Sequence, residues 1–157
     1  MKILKIIIMI GMGILFTACS GLPKPAEMKS DIANYQLPQS PKDGEAMVYI
    51  VRPTSVGGFV RFNVFLDDKE AASEMGYNRG SQYIYFNVKP GDHQLLSKAE
   101  NWAEINFTAN SGDTIFIQQD AKMGLIMARN SLVKLEPYEG TYQVKHLSLG
   151  TIIKEDK

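Results

Sequence analysis

Short runs of alternating apolar and polar residues begin at residue 46 and continue to residue 119, and a period of two predicts strands. Residues 47–52 (MVYIVR) are dense in β-branched and aromatic side chains and stop at Pro53. In residues 59–66, Phe62, Val64 and Leu66 share one face, with Arg61 and Asn63 on the other. Asp67-Asp68 reads as a turn into a short partner strand over residues 69–75. In residues 82–88, Ile84, Phe86 and Val88 alternate with Tyr83, Tyr85 and Asn87. Pro90-Gly91 fits a type II turn, because Pro presets φ and Gly supplies a positive one. Strands follow over residues 93–99, over 103–109 with Ile105 and Phe107 inward, and over 114–119 with Ile115 and Ile117 inward. Turn signals roughly every 8–12 residues predict an all-β fold, an antiparallel β-sandwich of about seven to nine short strands.

The tail has a less regular pattern. Residues 125–135 (LIMARNSLVKL) are apolar enough for a strand pair hinged at Asn130-Ser131. Residues 137–144 read as a helical turn or the covering of an edge, and residues 151–157 as a frayed end. Alternation also leaves Phe65, Tyr83, Tyr85 and Phe116 on the outward sides of their strands, with Tyr49 able to join them. Such aromatics stabilise sheets as cross-strand pairs, become buried if residues 132–147 fold over them, or form an exposed patch that binds a partner. The last reading makes Tyr83, Tyr85 and Phe65 candidate contacts. Phe59, in the flexible stretch VGGF at residues 56–59, is a fourth, as a binding tip.

Ahead of the strands the pattern is different. Lys2 and Lys5 precede an uncharged apolar run over residues 6–16, with small residues before Cys19, which is the layout of a secretory signal peptide over residues 1–18. The run is about 11 residues, against roughly 20 for a spanning helix. LFTAC at residues 15–19 resembles the lipobox of bacterial lipoproteins. The resemblance implies cleavage before Cys19, a lipid on its sulfur and acylation of the new amine; Ser20 in the next position implies sorting to the outer membrane. An ordinary signal peptide with a chance cysteine is the alternative.

Residues 19–45 read as a lipidated start and a flexible tether holding four of the seven prolines, spanning on the order of 28 Å as coil. Met28, Ile32 and Tyr35 have the spacing of a short amphipathic helix within it. The expected domain then occupies residues 46–150.

Charge and cysteine narrow the chemistry. The chain holds 17 basic and 17 acidic residues, and loss of Lys2 and Lys5 leaves a formal charge of −2. No basic excess exists to displace counterions, so nucleic acid is not an expected partner. With the single Cys19 lipidated, no thiol remains for a disulfide, zinc or thiol catalysis. His93 and His146 lack neighbours at metal-ligand spacing, so no metal or other cofactor is expected. No G-x-S-x-G occurs, RGSQY at residues 79–83 lacks the second glycine, and Gly11-Met12-Gly13 lies in the leader. Asn106-Phe107-Thr108 matches a glycosylation acceptor of little meaning in a bacterial envelope. Asp67-Asp68 as an acid–base pair competes with two solvated turn carboxylates.

VYIVRP at residues 48–53, FNVFLDDK at 62–69, YIYFNVKPGDH at 83–93 and GLIMARNSLVKL at 124–135 resemble an uncharacterised bacterial lipoprotein domain, family twenty-eight forty-six of the domains of unknown function. The similarity covers residues 46–144. It implies a small β-sandwich displayed in the cell envelope and carries no catalytic residues with it. The expectation is therefore an outer-membrane lipoprotein facing the periplasm. It would be held to the membrane by lipid at Cys19 and act as a non-enzymatic binding or structural module toward an envelope protein or a second copy of itself. The alternatives are an enzyme acting on an envelope polymer, which needs converging carboxylates, and a carrier of small apolar ligands, which needs a cavity inside the sandwich.

Overall fold

The computed structural model describes residues 22–126 and 128–156. The expected signal peptide and Cys19 lie outside the described residues. The described chain forms helix α1 (Pro25–Asp31), strands β1 (Ala46–Arg52), β2 (Phe62–Leu66), β3 (Glu74–Asn78), β4 (Gln82–Val88), β5 (Gly91–Lys98), β6 (Trp102–Ala109), β7 (Thr114–Met123) and β8 (Ala128–Lys134), helix α2 (Pro137–His146), and the two-residue strands β9 (Ser148–Leu149) and β10 (Thr151–Ile152).

Two five-stranded sheets face each other, in the orders β8-β7-β1-β4-β9 and β10-β3-β2-β5-β6. This is the all-β sandwich expected from the alternation. The strand number rises to ten through β9 and β10, and two pairings, β1 with β7 and β4 with β9, are parallel. Between the sheets, Val48, Ile50, Val64, Leu66, Ile84, Phe86, Ile115 and Ile117 interlock with Leu95 and Phe107, and Ile105 packs against them. The inward faces read from the sequence are those that meet here, because one buried face fixes the register of each strand.

Chain direction explains the tight connections. Strands β4 and β5 belong to opposite sheets, so Lys89-Pro90 turns a corner between layers instead of closing a hairpin. Pro90 has no N–H to extend the β4 ladder. Gly91, at φ +144°, already belongs to β5, in place of the expected type II turn. Residues 69–73 form a bend and a 3-10 turn, so the partner strand of β2 starts only at Glu74.

A second buried cluster lies outside the sandwich, on the far face of the β1 sheet. Every residue of β1 is buried: Val48 and Ile50 point between the sheets, while Met47, Tyr49 and Val51 point outward. Tyr49, Tyr83, Phe116 and Val144 join that outer cluster, with Leu37, Tyr85, Leu135 and Leu147 packed against it. Helix α2 supplies the lid. Its Gly140 lies flat on the Phe116 ring, where a Cβ would come within 2.0 Å of the ring carbon Cγ. Gly140→Val is therefore expected to push α2 off the sheet and to cost about 1–3 kcal/mol by overpacking. Urea denaturation checks this, and an unchanged midpoint would show that the helix does not seat as described.

Residues 25–39, expected as flexible coil, form the other half of that cover. Pro25 occupies the first turn of α1, where its missing N–H is no loss, so proline starts a helix here. Met28 is buried, and the Tyr49 hydroxyl donates to the Gln39 carbonyl at 2.8 Å and accepts from the Gln39 amide at 2.9 Å. Burial pushes the Tyr49 hydroxyl well above the usual tyrosine range. Asp31 fastens α1 to α2, meeting His146 Nε2 at 2.8 Å and Lys145 Nζ at 3.0 Å; these hydrogen bonds, His146 first, hold its carboxyl below the ordinary value.

The C-terminal end also departs from expectation. Thr151 and Ile152 pair with Tyr77 and Gly76 of β3, and Asp156 bridges Asn87 and binds Lys42. The domain therefore extends on both sides of residues 46–150, because neither the outer aromatic face nor the edge of β3 can be left bare.

Candidate functional site

The aromatic face first suggested by the sequence lies inside the protein. Tyr83 is 9% exposed and Tyr85 is half-buried, their rings 6.2 and 5.7 Å from that of Tyr49. An interface built on Tyr83 and Tyr85 would require α2 and residues 25–39 to lift away. Phe65, on the opposite sheet, is buried against Trp102 at 5.2 Å. Of the four candidates Phe59, 98% exposed, is the one that stands almost wholly clear of the rest of the protein.

Phe59 is not alone. One end of the sandwich gathers the loop between β1 and β2, the turn at residues 79–81 and the β7–β8 hairpin. On that end Met123, Leu125 and Ile126 are 88%, 93% and 90% exposed, and Val56 is exposed beside them. Val56, Gly57 and Val60 from the first loop face Met123, Leu125, Ile126 and Ala128 from the hairpin across an open apolar cleft of about 360 Å³. Large apolar side chains in a contiguous exposed group mark an interaction surface far more often than single ones do.

Both loops are rigidly built. Arg52, the last residue of β1, is fully buried and turns its guanidinium under the first loop. Nη1 donates to the carbonyls of Val60 (2.6 Å) and Asn78 (3.2 Å), and Nη2 to those of Val56 (3.1 Å) and Gly57 (2.9 Å). The guanidinium carbon sits 3.5 Å from the centre of the Phe62 ring. Burial lowers the guanidinium pKa to about 10, so the group keeps its charge at neutral pH. Gly57, at φ +61°, packs onto Ala128, whose Cβ would lie 2.7 Å from any Cβ added there. This close approach joins the two loops. In the hairpin, the Glu100 carboxylate accepts from the amides of Leu125 (3.2 Å) and Ile126 (3.0 Å).

Beneath the loops lies a buried polar network. Asn78 Nδ2 donates to Gln119 Oε1 at 3.0 Å, and Gln119 Nε2 donates to Ser97 Oγ at 2.8 Å. Asn130 Nδ2 reaches the Ser97 carbonyl at 3.3 Å, and the Asn130 amide donates to Asn101 Oδ1 at 2.8 Å. Asn130 therefore belongs to the middle of the single strand β8; the expected hinge at Asn130-Ser131 is absent because its amide is consumed by this network. Strand β7 ends at Met123 and β8 starts at Ala128, which places Leu125 and Ile126 at a tip instead of in a strand.

The other end is polar. Asp67, Asp92, His93, Gln94, Thr108 and Lys134 line an open groove. His93 Nδ1 lies 3.1 Å from both Asp67 oxygens, and Nε2 lies 2.8 Å from the Lys89 carbonyl. Asp67 also accepts from the Gln94 amide at 3.1 Å, and Asp68 accepts from the Glu70 amide at 2.9 Å. These groups tie the β4–β5 corner to the β2 turn. Asp67 is turned onto β5 and Asp68 onto its own turn, so the two carboxylates are engaged with different partners. Among the described residues no group of three or more His, Cys, Asp or Glu side chains is placed to hold a metal ion.

The model of a family described as a protein of unknown function matches residues 42–131, a span that contains both tip loops and Arg52 and ends before α2. An uncharacterised protein of Haemophilus influenzae is 25% identical to this chain over 142 residues, covering 90% of this chain and 81% of that protein.

Proposed function

The chain belongs to the family of unknown function DUF2846, and from that footing we propose that it is an envelope lipoprotein, anchored by lipid at Cys19, whose sandwich presents the tip of Phe59, Met123, Leu125 and Ile126 as a non-enzymatic binding surface. One observation carries this reading. Two loops from distant parts of the chain are clamped together so that four large apolar side chains stand about nine-tenths exposed at one end. Left in water, such a surface forgoes stabilisation that burial would supply, about 1.5–3 kcal/mol for each large apolar side chain. The Arg52 clamp and the polar network hold the loops in that exposed arrangement instead of letting them collapse. The placement in the envelope is supported by the leader pattern of residues 1–18 and by LFTAC at residues 15–19. The mature protein would sit in the outer membrane facing the periplasm. Intact mass spectrometry is expected to find an acylated N-terminus at Cys19, and a start elsewhere or no acyl mass removes the anchor from the proposal.

A photoreactive residue at position 126, in intact cells, is expected to form adducts with an envelope component. One at position 85, half-buried against the second cluster, is expected to form none. Phe59→Asp together with Ile126→Asp should abolish the adducts while shifting stability by no more than about 0.5 kcal/mol, since both side chains touch mainly water. Adducts from position 85 with none from position 126 would move the surface back to the aromatic face.

A further inference from the structure

We propose that the occupant of the apolar tip is the surface of an anionic phospholipid leaflet, into which Phe59, Met123, Leu125 and Ile126 insert. The proposal rests on the reading of the tip as the binding surface and specifies what it binds.

Charge is the first argument. The ends of the strands around the tip bring Arg61, Lys122 and Arg129 to exposed positions beside it. Lys122 and Arg129 face each other across the hairpin, one residue before Met123 and one after Ala128. Half-buried Arg79 and Lys98 stand behind them, lying over the rings of Tyr77 and Trp102. Against these cations the same end sets Glu100, turned onto the hairpin amides, and Asp120, which accepts from Gln118 Nε2. The opposite end carries Asp67, Asp68, Asp92 and Asp113 in its turns beside Lys89 and Lys134. The molecule is thus polarised along its strands, although basic and acidic residues are equal in number over the full chain. Basic residues encircling a small apolar group are the arrangement that anionic lipid headgroups attract, at about fivefold in partition for each Lys or Arg near the surface.

Shape is the second argument. The apolar residues stand on the β1–β2 loop and on the end of β7 and the residues after it, with an open cleft between the two segments. Protein interfaces are enriched in aromatic residues, Met and Arg, depleted of Lys at their cores, and matched closely to a partner's shape, so the exposed Lys122 and the open cleft are what set this tip apart from one. Here the projecting side chains are Phe, Met, Leu and Ile, rimmed by Lys and Arg. A bilayer accepts projecting apolar side chains without a complementary shape, and long cationic side chains keep their heads at the interface while their stems lie deeper.

The test uses the full-length chain carrying Phe59→Trp, added to vesicles, with wild-type emission subtracted to remove Trp102. In phosphatidylcholine–phosphatidylglycerol vesicles the residue-59 emission is expected to shift to the blue and to be quenched by brominated acyl chains. Phosphatidylcholine alone should give a much smaller effect, and high salt should reverse the response. Lys122→Glu with Arg129→Glu should abolish it while leaving thermal unfolding unchanged. No blue shift in the anionic vesicles, or a shift indifferent to salt and charge reversal, overturns the proposal. A photoreactive residue at position 59 in intact cells separates the two levels. Lipid adducts support the inference; protein adducts with no vesicle response overturn it but leave the tip a binding surface; neither adducts nor response overturns both.

Discussion

Arg52→Ala is expected to cost about 3–5 kcal/mol, a large share of the stability of a domain of this size. The substitution leaves the carbonyls of Val56, Gly57, Val60 and Asn78 without their donor and removes the stack on Phe62. An unpaired buried polar group costs about 1–3 kcal/mol, and water entering the vacated space would recover part of that for the outermost carbonyls. The loss should fall unevenly over the structure. Residues 53–61 are held by Arg52 and by the contact of Gly58 with the Gly80 amide, whereas the inter-sheet core does not depend on the guanidinium. Limited proteolysis should therefore open first at the loop carrying Phe59. Arg52→Lys keeps the charge but has three donors on one atom, so it cannot span four carbonyls on two sides; an intermediate loss is expected. Urea denaturation of the two variants decides it, and a loss under about 1 kcal/mol for alanine would mean that the loop is held from elsewhere.

Arg52 also shows where the sequence stops being informative. In MVYIVRP it is only the last residue of a strand pattern that stops at a proline. Its burial depends on carbonyls four, five, eight and twenty-six residues away, and no local pattern reports them. The inward faces of β2, β4, β6 and β7 were legible because a period of two has one solution once one face is buried. Residues 125 and 126 were misplaced by the same logic. Apolar runs are usually core, so Leu125 and Ile126 read as strand, and only Gly124 hints that the chain turns there. Tyr83 and Tyr85 pose the opposite problem. Alternation places them outward, but whether outward means exposed is decided by α2 and residues 25–39, which are distant in sequence. Of the candidate contacts, Phe59 alone stood in a loop, and its partner residues on the β7–β8 hairpin become its neighbours only through the fold.

Removing residues 1–43 is expected to leave a folded sandwich that is less stable by about 3–5 kcal/mol. The inter-sheet core, from Ala46 through Ile117, lies wholly within the remaining chain, so the β fold should persist by circular dichroism. What is lost is half the lid of the second cluster. Buried Met28 is removed and half-buried Leu37 leaves the second cluster, and full burial of one such side chain stabilises by about 1.5–3 kcal/mol. The Tyr49 hydroxyl loses both of its contacts with Gln39, and Asn87 loses the Lys42 amide. Freed of α1, helix α2 also loses the Asp31 contacts of Lys145 and His146, so Tyr83 and Tyr85 become accessible to a hydrophobic dye and to a second copy of the fragment. In the full chain, by the same reasoning, Tyr85→Asp acts as a core substitution: it should lower the unfolding midpoint and leave adducts from position 126 in place. Equal stability of fragment and full chain would mean that residues 25–39 rest on the sheet without stabilising it. A fragment that fails to fold would mean that the two clusters, which share strand β1, form one cooperative core and that the segment before residue 44 is as much a part of the domain as its strands.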